Sequence, residues 1–93
     1  MSILDRGRES VDRRAWEDAY AQLAAADQAA PLAPEDLERL ATAAYLVGRD
    51  DESFAFWERA HHGSLELGDD ERAARCARWL ALGLLLRGET ARG

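Results

Sequence analysis

Glu58, His62 and Glu66, with His61 beside the middle residue, carry donor types that bind metal ions. Their i, i+4, i+8 spacing puts imidazole and carboxylate on one side of a helix. Such a row spans more than two turns, so its ends close poorly round a single ion. It reads as a solvated face with i, i+4 pairing, and no metal site is expected. Cys76 has Arg75 and Arg78 as neighbours, and nearby cations lower a thiol pKa and favour the nucleophilic thiolate. Nucleophilic catalysis also needs a base held beside the sulfur, and none is legible, so Cys76 reads as a small buried apolar side chain. No Ser–His–Asp order, glycine-rich phosphate loop or zinc-protease signature occurs. Gly48, Gly68 and Gly88 read as helix stops, and Trp16, Trp57 and Trp79 as core. The expectation is a chain that is not an enzyme and uses no cofactor.

The elements that carry these residues follow from composition and pattern. Ninety-three residues make one small domain with a modest core. Abundant Ala, Leu, Glu and Arg, with few β-branched residues, favour helix throughout. The net charge of −6 argues against a nucleic-acid surface, which needs a basic patch to neutralise phosphates. A single cysteine excludes an internal disulfide, which fits a reducing compartment. The segment MSILDRGRES lacks an apolar signal core, and the apolar run from Trp79 to Leu86 is too short to span a bilayer. A cytoplasmic protein without a membrane role is expected.

Along the chain, a first helix fits Ile3 to about Arg13 and a second Ala15 to about Ala30. Pro31 and Pro34 break the pattern after the second, in the connection Ala30–Pro34. From Pro34, Leu37, Leu40, Ala41, Ala44 and Tyr45 mark one helical face, with Glu35 and Asp36 opposing the positive end of the helix dipole. Gly48 ends that helix in a left-handed cap, and Asp50 or Asp51 caps the next. Phe54, Trp57, Ala60 and His61 then repeat the face, and the helix runs towards Leu67, weakened at Gly63. Gly68 ends it. Asp69 or Asp70 begins a last helix that reaches Arg87 and stops at Gly88.

An internal repeat organises these elements. At an offset of 34 positions Gly7 meets Ala41 and Ser10 meets Ala44, while Ala19, Leu23 and Ala26 meet Ser53, Trp57 and Ala60. Small residues thus recur where helices approach closely, and a large one where a groove needs filling. In this the chain resembles the tetratricopeptide repeat, a helix–turn–helix family of the same period. The family's small positions fall on Gly7, Ala19 and Ala26, then on Ala41, Ser53 and Ala60. Its large packing residue is Leu23, then Trp57, and its closing proline is Pro31 but meets Leu65 in the second repeat. Its first aromatic is replaced by Ile3 and Leu37. The stretches PEDLERLATAAYLVGRDDESFAFWERAH and GDDERAARCARWLALGLLLRGE also resemble the tetratricopeptide-like segment of actinobacterial LuxR-type transcription regulators.

The resemblance implies an all-α fold: two antiparallel hairpins plus one unpaired helix, in a short right-handed solenoid. Repeat one covers about 1–33, repeat two about 34–68, and an incomplete third 69–93. With Gly88 taken as equivalent to Gly48, Ala77, Leu80, Ala81 and Leu84 take the core positions of the third unit. The resemblance also implies a concave groove. Its members are Arg8, Val11 and Asp12, then Glu35, Glu38, Thr42, Tyr45 and Leu46, then Arg75, Arg78, Leu82, Leu85 and Leu86. The expected function is a protein-interaction module that takes another protein or peptide. The alternative is the regulatory segment of a LuxR-type regulator without its DNA-binding part. A last helix apolar all round, with no following helix to cover it, predicts a homodimer through Trp79, Leu82, Leu85 and Leu86.

Overall fold

The computed structural model describes residues 1–92, with side chains described through residue 86. It is all-helical: α1 (Ile3–Asp12), α2 (Trp16–Ala29), α3 (Pro34–Leu46), α4 (Asp50–Glu66) and α5 (Asp70–Arg92). No strand occurs among the described residues. Each helix packs on the next in sequence, and α1 also reaches α3. The extents, 45 × 31 × 21 Å, describe a slab about two helix diameters thick.

Local chemistry explains the boundaries. Ser2 and Asp5 form a reciprocal capping box at the start of α1. Pro34 opens α3. Gly48 and Gly68 sit in the left-handed region at φ 85° and 73°, so α3 and α4 both end as their glycines imply. Arg14 takes the same conformation, φ 61°, without being glycine. The three turns share one closure. The left-handed residue donates its N–H three residues back, and the next residue donates five back: Arg14 to Val11 and Ala15 to Ser10, Gly48 to Tyr45 and Arg49 to Ala44, Gly68 to Leu65 and Asp69 to Ser64. Arg14 and Gly48 lie 34 positions apart, and Gly68 follows 20 later with the same closure.

The small repeat positions are buried as their spacing implies. Gly7, Ala19, Ala26, Ala41, Ser53 and Ala60 all lie inside. The Ser53 hydroxyl donates to the Ala41 carbonyl at 2.7 Å, which satisfies the one polar group of the set. Leu23 and Leu40 are fully buried, and a cluster of Leu37, Ala60 and Cys76 joins α3, α4 and α5, with Leu32, Phe56 and Trp57 packed on it.

Ion pairs between non-adjacent segments hold the helices in register. Arg8 on α1 grips the buried Asp36 of α3 through two hydrogen bonds, 2.9 and 2.7 Å. Arg59 on α4 does the same to Asp27 on α2, both at 2.8 Å. The Tyr20 hydroxyl donates to Glu52 at 2.6 Å, again between α2 and α4. Among the described residues, no buried side-chain polar atom lacks a partner.

Four expectations are corrected. Neither Asp50 nor Asp51 caps α4. Arg49 occupies the cap position without a side-chain bond, and Asp50, Asp51 and Glu52 sit in the first turn, where they favour the helix through its dipole. Asp69 does cap α5, accepting from the Arg72 N–H at 3.0 Å. The last helix runs through Gly88 to Arg92, because a glycine costs a helix interior only about 1 kcal/mol relative to alanine and does not stop it unaided. The register of α5 also differs. Ala73 and Cys76 are buried and Leu80 half-buried, whereas Ala77, Ala81 and Leu84 are exposed. Ala73, Cys76 and Leu80 stand 36 positions after Leu37, Leu40 and Ala44, so the third unit is offset by 36 residues and not by the 40 that Gly88 suggests. Trp79, expected in the core, is 48% exposed: Ala73 and Cys76 take the buried positions of α5, and Trp79 lies at the edge of the contact with α4.

Candidate functional site: a groove between α3, α4 and α5

The α5 helix packs firmly on α4 while its backbone stands off from that of α3, which it meets through long side chains, and this leaves a groove over α4. Its apolar part is a cavity of about 540 Å³. Thr42 and Tyr45 come from α3, Asp50, Asp51, Ser53, Phe54 and Trp57 from α4, and Trp79, Leu82, Gly83 and Leu86 from α5. A second cavity of about 450 Å³ is lined by Val11, Glu35, Glu38, Arg39, Thr42, Trp57, Arg72 and Arg75. Thr42 and Trp57 line both, so an apolar and a charged cavity adjoin along the groove.

Local packing explains each wall. Trp57 and Trp79 stack with centroids 5.6 Å apart and planes 15° from parallel, which forms the floor where α4 meets α5. Gly83 gives Phe54 room, since a Cβ there would already stand 3.4 Å from the Phe54 ring. Thr42 turns its hydroxyl onto the Glu38 carbonyl at 2.9 Å, so its methyl group and not a free polar group faces the channel.

At the charged end Glu38 is the hub. Its carboxylate accepts from Arg72 at 2.8 Å and from both Nε and Nη2 of Arg75 at 3.1 Å. Arg72 also holds Asp69, and Arg39 is shared between Glu35 and Asp36 at 3.0 Å each. Beneath the hub lies Cys76, fully buried, whose Sγ–H donates to Glu38 Oε1 at 3.5 Å. Burial and the adjacent Glu38 carboxylate push the thiol up to about 11, against the pull of Arg75 and Arg72. The sulfur is therefore a neutral thiol at neutral pH, and the cationic neighbours do not activate it.

Of the residues assigned to the groove, Val11, Glu35, Glu38, Thr42, Tyr45, Arg75, Leu82 and Leu86 line one cavity or the other. Arg8 is committed to Asp36, and Asp12, exposed at the end of α1, lines neither cavity. Leu46, Arg78 and Leu85 are exposed and also line neither. Arg72, not assigned to the groove, lines it beside Arg75 and bonds Glu38. The self-association set divides: Trp79, Leu82 and Leu86 belong to the groove, and Leu85 looks elsewhere. Phe54, Trp57 and Asp50 were not assigned to the site.

His61 Nδ1 lies 3.0 Å from the Ala73 carbonyl, which ties α4 to α5, and His62 is exposed. Among the described residues, no three His, Cys, Asp or Glu side chains gather closely enough to hold a metal ion. No helix among them is long and apolar enough to cross a membrane. Compared with models of protein families, with curated proteins and with solved structures, the chain matches none.

Proposed function

We propose that this chain is a non-catalytic protein-interaction module of tetratricopeptide type, a short solenoid of stacked hairpins whose groove seats a peptide or helix of another protein. One observation carries the reading: an open, mostly apolar channel with Tyr45 and Trp79 exposed by 55% and 48% in its walls. Aromatic anchors around a concave apolar strip are what recognition sites for amphipathic segments use. The 34-residue recurrence of buried small residues, and of the Arg14 and Gly48 turns, supports the repeat assignment. Self-association through α5 is part of the proposal. Leu84 and Leu85, exposed by 60% and 64%, line neither cavity and offer a second apolar face to another copy.

Selection of helical peptides from a displayed library against the purified protein tests the groove. Selected peptides should lose binding to a Trp79→Ala, Leu82→Glu variant whose helical circular dichroism is intact, and keep it for Gln28→Ala on α2. Peptides indifferent to the groove substitutions would overturn the assignment.

A further inference from the structure

We infer that the groove selects a cationic amphipathic helix, one whose apolar anchors are flanked by lysine or arginine. The inference rests on the proposed interaction role and names the partner's chemistry. It comes from which charges along the channel are already committed. Among the described residues three arginines line it, and each is held by a carboxylate: Arg39 by Glu35 and Asp36, Arg72 by Glu38 and Asp69, Arg75 by Glu38. An acidic segment entering the channel would have to break one of these pairs to find a cation.

The opposite charge finds a different reception. Among the described residues, the apolar cavity is lined by no basic side chain. Asp50 lines it, is exposed, and pairs with no cation among the described residues. Tyr45 and Trp79 are half-exposed there, and a desolvated ammonium or guanidinium over an aromatic ring gains from its quadrupole. The net charge of −6 adds long-range attraction for a basic segment. Length favours a helix. The α3 wall runs from Glu35 to Tyr45, about 15 Å at the helical rise, which is about three turns of a partner helix.

Three synthetic peptides of about 15 residues, long enough to hold a helix, test this. All carry leucine at i, i+3, i+4 and i+7, with lysine, glutamate or glutamine at the remaining positions. Calorimetry gives their affinities, and the emission of Trp57 and Trp79 reports occupancy of the groove. The lysine peptide should bind at least about tenfold more tightly than the glutamate peptide, and added salt should narrow the gap. Asp50→Asn should weaken the lysine peptide and leave the glutamine peptide unchanged. Leu82→Lys places an uncommitted cation in the groove and should reverse the order. If the lysine peptide still wins on Leu82→Lys, the preference is general charge attraction and the inference falls. If all three bind the native protein equally, the inference falls and the interaction groove stands. If none binds and light scattering shows a dimer that Leu82→Glu dissociates, a second copy fills the groove, and both the inference and the groove reading fall.

Discussion

The indole of Trp79 on α5 lies stacked on that of Trp57 on α4, 5.6 Å between centroids, and adds an aromatic contact to the packing of α5 on α4. The two rings are unequal. Trp57 also packs on the core cluster of Leu37, Ala60 and Cys76, whereas half of Trp79 faces solvent. Trp57→Ala should therefore cost about 2–4 kcal/mol and Trp79→Ala about 1 kcal/mol. A double-mutant cycle by urea unfolding should give a coupling of about 0.5–1.5 kcal/mol. Equal single-mutant losses would contradict this division.

Arg14 holds a left-handed backbone that Gly48 and Gly68 adopt at no steric cost. Arg14→Gly should raise stability by about 0.5–1 kcal/mol, the relief of the side-chain clash less the entropy of the freer unfolded chain. Gly48→Ala should move the thermal midpoint the other way. A midpoint unchanged or lowered in Arg14→Gly would show that the Arg14 side chain contributes more than the strain removes.

Gly7 breaks the usual rule for a glycine inside a helix. Replacement by alanine at an exposed helix interior gains about 1 kcal/mol. Here an added Cβ would stand 2.6 Å from Leu23 Cδ2 and 2.7 Å from Cγ, with the Leu23 backbone nitrogen at 3.3 Å. Leu23 is fully buried and has nowhere to move, so Gly7→Ala should destabilise by about 1–3 kcal/mol. Chemical denaturation reads the sign directly.

Two carboxylates make the fold acid-sensitive. The Arg8 guanidinium, through its hydrogen bonds, holds the Asp36 carboxyl below its ordinary range against the opposing effect of burial. Arg59 does the same for Asp27, assisted by the Leu32 N–H. A depressed folded pKa adds stability that is complete above the unfolded value, about pH 4, and is lost as pH falls through the folded one. The thermal midpoint should thus decline steeply below about pH 4. In Arg8→Ala the midpoint at neutral pH should be lower and the acid decline shallower. An unaltered acid limb would show that the Asp36 pair does not contribute to it.

How far the sequence leads depends on the range of the interaction. The turns at Gly48 and Gly68 and the close approach at Gly7, Ala19 and Ala41 were legible because each depends on local backbone geometry or on a fixed repeat. The end of α5 was not, since Gly88 is a weak signal that only tertiary context decides. Trp79 was misplaced because a helix apolar on every side gives no clue to which side the core takes. The Arg8–Asp36 and Arg59–Asp27 pairs join residues 28 and 32 apart, in a chain rich in both charges, so no pattern marks them. Eight residues assigned to the groove line the two cavities, and Arg72, which also does, was missed with the register of α5.

The outer side of α5 makes self-association testable apart from the groove. Leu84→Glu with Leu85→Glu should convert a dimer into a monomer of about 10 kDa by light scattering while the peptide affinities of the groove persist. A dimer that survives the double substitution pairs through another face.

Cys76 turns the protein into its own gauge. Its sulfur is sealed between α3, α4 and α5, and its thiol is kept protonated at neutral pH. A thiol reagent can reach it only when the last helix lifts away, so the rate of labelling under native conditions measures how often α5 detaches. Whatever occupies the groove bridges α3 and α5 and should slow that reaction by the factor with which it binds. One buried atom, with no label added beforehand, thus reads out ligand affinity as a chemical lag time.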